Sequence, residues 1–233
     1  MNVINDIEIQ EIISGHDQKA ILALVSQKDF NPNRITNGVP LVCLAARSGA
    51  LFSIQALANN LKTNLNAKNK LTGVTALHWA AAQNPEIGVY LLSRQADPMV
   101  QDNSGHYPLH YAAKSHHDSA QLIVDALLKD PRTDVFAKNN GGKMAFEQAH
   151  GANKKIFEKK PSIQKWLNKK NAANSVKIVS EVAAAQGDNK EHKIVEEDPK
   201  TFSRRDFMMV FGQASDQKKH PPAALSKKIR LSR

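Results

Sequence analysis

The chain has 233 residues, 41% of them hydrophobic, and 32 Lys/Arg against 22 Asp/Glu give a formal net charge of +10. This length suits one elongated domain with a tail or two small domains, and the hydrophobic share is slightly low for a compact globule. With Cys43 as its single cysteine the chain can form no internal disulfide, and no run approaches the roughly 20 apolar residues that a membrane helix needs.

Lines of one shape recur along the chain. They are Gly38-Val-Pro-Leu-Val-Cys-Leu-Ala-Ala46, Gly73-Val-Thr-Ala-Leu-His-Trp-Ala-Ala81 and Gly105-His-Tyr-Pro-Leu-His-Tyr-Ala-Ala113, with a weaker Gly142-Lys-Met-Ala-Phe-Glu-Gln-Ala149. The leading glycines lie 35, 32 and 37 residues apart. Each line has a physical reading. The glycine can take the positive φ of a tight turn. Thr or Tyr, then Ala or Pro, opens a helix where a missing N–H costs little. The paired alanines are small enough to let two helices approach closely. A second apolar helix is predicted after each line, over Leu51–Leu57, Ile87–Leu92 and Leu122–Leu128, followed by polar turns.

These lines resemble the ankyrin repeat, whose core reads Gly-x-Thr-Pro-Leu-His-x-Ala-Ala over about 33 residues. The match is strong at Gly73–Ala81 and Gly105–Ala113, fair at Gly38–Ala46 and degenerate at Gly142–Ala149. The resemblance implies an all-α solenoid of helix-turn-helix repeats with β-hairpin-like turns. Residues 1–33 then form an N-terminal capping or partial repeat, with Ser14-Gly15-His16 echoing the Ser48-Gly49 junction. Residues 34–168 form the array and its C-terminal cap. The 35- and 37-residue steps add length around Asn59–Asn64 and Leu128–Asp134, read as loop slack. Lys154–Lys160 and Ser162–Leu167 read as the cap, with Trp166 as an anchor.

The resemblance also gives His78 and His110 a structural role, bonding the backbone around the turn and tying neighbouring repeats. His106, His110, His116 and His117 crowd one repeat, but no acidic or cysteine partner shows ligand spacing, so no metal is expected. Cys43 reads as a buried, inert thiol. Gly141-Gly142-Lys143 lacks the rest of a phosphate loop. No catalytic residue and no cofactor is expected, and the chain reads as a non-enzyme. Trp79 and Tyr111 share one repeat position, where core packing is the expected role.

Partner contacts are carried over by repeat position to the hairpin tips and the exposed side of each first helix, which line the family's concave groove. Here these are Asn69, Leu71, Thr72, Val74, Gln101, Asn103, His106, Lys138 and Asn140 at the tips, and Arg47, Ser48, Gln83, Lys114 and Ser115 on the helices. Leu71 and Val74 stand out as apolar where water is expected. This uncharged and apolar mixture suits a protein partner better than a phosphate backbone.

Residues 1–150 hold 13 Lys/Arg and 13 Asp/Glu, whereas 151–233 hold 19 and 9, so the whole excess lies in the C-terminal part. From about Asn171 the repeat pattern is lost, and residues 169–233 read as a largely disordered, basic, low-complexity tail. It contains one apolar island at 203–212, in which Phe207, Val210 and Phe211 would share a helical face. That island reads as an anchor on the array, a groove-binding segment or a membrane-surface contact. The function expected is a non-catalytic adaptor that binds another protein through the concave surface. The alternative is a nucleic-acid or anionic-membrane binder that uses the tail. Without a basic region ahead of an apolar run at the N-terminus, a cytoplasmic protein is expected. Short divergent arrays with basic tails also look like effectors that intracellular bacteria deliver into host cells.

Overall fold

The computed structural model describes residues 5–117 and 119–185, with side chains to residue 174. The chain divides into two units at Lys165/Trp166. In the first, helices come in pairs: α1 (Asp6–Ser14) with α2 (Gln18–Val25), α3 (Leu41–Ser48) with α4 (Leu51–Asn59), α5 (Ala76–Gln83) with α6 (Pro85–Ser93), and α7 (Pro108–Lys114) with α8 (Ala120–Lys129). A 3₁₀ turn (Ala145–Gln148) and α9 (Gly151–Glu158) follow, then α10 (Pro161–Ala185). Helices α1, α3, α5 and α7 and the 3₁₀ turn pack in sequence as one row. A second row pairs α2 with α4, α6 with α8, and α8 with α9. The only ladder among the described residues joins β1 (Ile35–Thr36) to β2 (Val39–Pro40) antiparallel, with Ile35 opposite Pro40; an isolated bridge joins Lys138 and Met144.

Local chemistry sets these boundaries. Asn5 and Glu8 close a reciprocal capping box on α1 at 2.9 and 3.1 Å, and Asp17 accepts from Lys19 N and Ala20 N at the start of α2. Thr75 and Tyr107 are the N-caps of α5 and α7, with Ala76 and Pro108 in the first helical position, as the sequence pattern predicts. The leading glycines all take positive φ: Gly38 79°, Gly73 72°, Gly105 73° and Gly142 69°. Each paired alanine, 45–46, 80–81 and 112–113, is fully buried, which is what lets neighbouring first helices sit close. Between the rows lies a continuous apolar core that includes Ile13, Ile21, Leu41, Ile54, Leu57, Leu77, Leu91, Ile123, Leu127 and Phe157.

The two long steps are built alike. Asn60 Oδ1 accepts from Lys62 N (3.0 Å) and Asn60 O from Thr63 N (2.9 Å); Asp130 does the same for Arg132 N (2.9 Å) and Thr133 N (3.0 Å). The extra residues are therefore one Asx-type turn used twice.

The last repeat departs from the pattern. Its first helix shrinks to the 3₁₀ turn, because Ala149 is extended (ψ 140°) and α9 restarts at Gly151 with φ 50°. Phe146 and Phe157 stay buried, 6.4 Å apart, so the degenerate unit still closes the core. Ile163 is fully buried as well. Helix α10 runs beyond Asn171, where the repeat pattern ends, to Ala185. In the second unit Lys170 Nζ sits 4.6 Å from the centre of the Trp166 ring. No helix among the described residues is long and apolar enough to cross a membrane.

Candidate functional site

The hairpin tips are closed and stacked by repeated bonds. At the Gly73 tip, Asn69 N donates to Val74 O (2.9 Å) and Gly73 N to Asn69 O (2.8 Å); at the next, Asp102 N donates to His106 O (2.9 Å) and Gly105 N to Asp102 O (3.0 Å). Successive tips are joined by Lys70 N to Gly38 O (2.9 Å), Asn103 N to Thr72 O (3.0 Å) and Asn140 N to Ser104 O (3.1 Å). A β-carbon on Gly73 would lie 2.4 Å from Asn103 Oδ1 and 2.8 Å from Asn103 N; on Gly105 it would lie 2.2 Å from Asn140 Oδ1. The glycines are required by this approach as well as by their φ.

Each repeat histidine spans two repeats. His78 Nδ1 faces Thr75 N (3.2 Å) and Thr75 Oγ1 (2.8 Å), and His78 Nε2 faces His106 O (3.0 Å). His110 Nδ1 accepts from Tyr107 N (3.2 Å), and its Nε2 faces Lys143 O (3.0 Å). Accepting a backbone N–H at Nδ1 places the proton on Nε2, which donates to the next hairpin's carbonyl. Both rings must therefore be neutral. Burial lowers the His78 pKa to about 4 and the His110 pKa below its usual value. The roles expected for these two residues are the ones they have. Cys43 is buried, and burial pushes its thiol up to about 12, which leaves it protonated at neutral pH.

Asp102 anchors the central hairpin. Its Oδ1 accepts from Ser104 N and His106 N (both 2.8 Å), and its Oδ2 accepts from the Tyr111 hydroxyl (2.8 Å). Burial opposes its ionisation, but these bonds outweigh burial and hold the carboxyl below its ordinary value. Tyr111 is correspondingly raised, by burial first and then by Asp102. Sequence pattern marked Tyr111 as a packing residue. The structure leaves it half-buried, with its ring at the wall of a cleft.

That cleft, about 440 Å³, lies between the C-terminal ends of α5 and α7 and is lined by Gln83, His106, Tyr111, Lys114, Ser115 and His116, among others. Four of the residues singled out by repeat position thus come together there: Gln83, His106, Lys114 and Ser115. Lys114 Nζ lies 3.4 Å from His106 Nε2, and His106 Nδ1 lies 3.6 Å from Asp102 Oδ2. An ammonium can only donate, so His106 Nε2 accepts and its Nδ1–H points to Asp102. Burial, then the Lys114 charge, lowers the His106 pKa.

The remaining candidates separate by what their polar atoms already do. Leu71 is 81% exposed and Thr72 is exposed, at the very tip. Asn69 and Asn103 hold that tip in place: Asn69 Oδ1 accepts from Leu71 N (2.8 Å) and Thr72 N (3.2 Å), and Asn103 Nδ2 donates to Leu71 O (2.8 Å). Ser48 Oγ bonds its own helix at Leu44 O, and Ser115 Oγ donates to Ala82 O (2.6 Å). Gln101 Nε2 donates to the Tyr107 hydroxyl (2.8 Å). Arg47 is exposed, 6.0 Å over the half-buried Trp79 ring. The expectation that Val74 is exposed is wrong: it is 5% exposed, because the positive φ of Gly73 turns the chain back so that Val74 enters the core. Phe207, Val210 and Phe211 lie outside the described residues.

Sequence reasoning missed a ladder of capping side chains. Asn84 Nδ2 donates to Ala46 O (2.8 Å), Ser115 Oγ to Ala82 O, and Asn153 Nδ2 to Ala112 O (3.1 Å). Each repeat thus satisfies the open carbonyls at the end of the previous first helix.

The family description "Ankyrin repeats (3 copies)" matches residues 10–102 and 42–139, more than half of the chain. The chain belongs to the ankyrin-repeat family. This ankyrin-repeat chain is 28% identical over 137 residues to an ankyrin repeat protein of Acanthamoeba polyphaga mimivirus, covering 57% of the chain and 18% of that protein. It is 28% identical over 121 residues to an ankyrin repeat protein of Rickettsia felis, covering 50% of the chain and 53% of the relative. Neurogenic locus notch homolog protein 1 of Mus musculus is 36% identical over 80 residues, 34% of the chain and 3% of that protein. The match therefore spans less than two thirds of each of these relatives. No group of three or more His, Cys, Asp or Glu side chains that could hold a metal occurs among the described residues.

Proposed function

We propose that the protein is a non-catalytic interaction module that holds another protein on the surface made by the hairpin tips and the exposed sides of the first helices. The observation that carries this reading is Leu71. A large apolar side chain, 81% exposed, is displayed at a tip whose backbone is held on both sides, by Asn69 at its N–H and Asn103 at its carbonyl. Exposing such a group to water while ordering its backbone favours a partner, since a preorganised contact loses little conformational entropy on binding. Membership of the ankyrin-repeat family supports a protein as the partner.

Affinity capture from cell lysate with the full chain tests the reading. Leu71→Asp should lose the captured protein, whereas Leu122→Asp, a change at a 54% exposed position on the second-helix row, should retain it. Retention by both variants contradicts the reading.

Delivery into a host cell is the finer part of the proposal, favoured by the similarity to the Rickettsia felis protein. A translocation assay comparing the full chain with one that lacks residues 213–233 tests the tail as the export signal; equal delivery removes it from that role.

A further inference from the structure

The array is neutral in total but not in arrangement. On the hairpins and first helices from Gly38 onward the exposed cations are Arg47, Lys68, Lys70, Lys114, Lys138 and Lys143. From Gly38 onward the acids on these segments are Asp102 and Glu147; α1, at the N-terminal end of the row, adds Asp6, Glu8 and Glu11, with Asp6 paired to Arg34. Asp102 is 9% exposed and saturated by Tyr111, Ser104 and His106, and Glu147 Oε2 accepts from Met144 N (3.1 Å). The second helices and their loops hold Glu86, Asp97, Asp125, Asp130 and Asp134 instead. There Lys129 pairs with Asp125 and Arg132 with Asp130, each at 2.6 Å, while the exposed Lys62 makes no ion pair. Among the described residues, none of the six cations on the first-helix side makes an ion pair.

We infer that the partner presents an acidic segment, with one Asp or Glu side chain seated in the α5–α7 cleft on Lys114. The inference rests on the binding face proposed above and adds the chemistry of what it binds. The cleft of about 440 Å³ falls within the usual range for built binding clefts, about 300–1,000 Å³. Lys114 has three N–H donors and gives one to His106 Nε2, so two remain for a carboxylate. Gln83 stands exposed on the opposite wall with an amide donor. An incoming carboxylate meets no competing anion, because Asp102 lies behind His106 with its oxygens occupied. Arg47 and Lys70, on the neighbouring repeats, extend the same sign along the row. A basic ligand, including the basic half of this chain, meets like charge there. A peptide suits the surface better than nucleic acid: the cations are single and interleaved with Leu71 and Thr72, and Trp79 and Tyr111 are half-buried instead of offering open stacking faces.

The test uses the full chain and fluorescent short peptides of three compositions, acidic, neutral and basic, each with one central Leu. The acidic set should bind best. Lys114→Glu should weaken it about tenfold or more, and Lys62→Glu, the same charge change on the second-helix side, should leave it nearly unchanged. Equal loss in both variants overturns the inference, as does tighter binding of a single-stranded oligothymidylate. Indifference to peptide charge, with binding still removed by Leu71→Asp, overturns the acidic partner and leaves the binding face intact. Retention of no peptide, or binding unaffected by Leu71→Asp, removes the binding face itself.

Discussion

His78 shows how one side chain couples two repeats and makes stability depend on pH. It is fully buried, neutral and bonded at both nitrogens. Its folded pKa, about 4, lies below the ordinary 6.5, so the unfolded chain takes up a proton first as pH falls. Stability is therefore full above pH 6.5 and declines between 6.5 and 4, by on the order of 3 kcal/mol from this group. Urea unfolding measured across that window should show the decline, and His78→Gln should flatten it. His78→Ala leaves the Thr75 N–H without a partner and the His106 carbonyl with only Asp102 N, and should cost about 2–4 kcal/mol at pH 7.5. Gly73→Ala belongs to the same scale. Its β-carbon would meet the Asn103 backbone at 2.8 Å at a φ of 72°, so a loss of about 2 kcal/mol or more is expected in the same urea assay.

At the scale of elements, the helix pairs were legible because their punctuation is chemical: Gly at positive φ, Thr or Tyr before Ala or Pro, and alanine pairs at the contact. The site was legible only in outline. Leu71 and Val74 look equivalent as letters, yet Gly73 lies between them and sends one to solvent and the other to the core. Asn69, Asn103 and Ser115 looked like free polar groups. Their donors and acceptors are spent on the tip and on the previous helix end, and such contacts between residues about 33 apart leave no local signature. The cleft at Tyr111 was missed for a related reason: the residue fills an apolar repeat position, and only its hydroxyl, which needs a partner, hints that one edge faces Asp102. The degenerate last unit carries a further prediction. Phe157 is 1% exposed and closes the core behind the 3₁₀ turn, so Phe157→Ala should cost about 3–5 kcal/mol in a urea titration. A loss under 1 kcal/mol would mean that the short turn does not depend on α9.

For the whole molecule, the division of labour between the two helix rows is the central point. The first row and its hairpins combine an exposed Leu71, a row of cations without ion pairs and a cleft; on the second row and its loops Lys129 and Arg132 pair with acids, and apolar groups such as Leu61, Leu122 and Val89 stand singly, as on ordinary surfaces. Amide hydrogen exchange of the full chain with and without its captured partner tests this division most directly. Protection confined to the tips around residues 70–73 and 101–106 and to the helix ends around 83 and 114–116 is the result predicted. Protection that falls instead on α4, α6 and α8, or only on residues 186–233, would contradict the account.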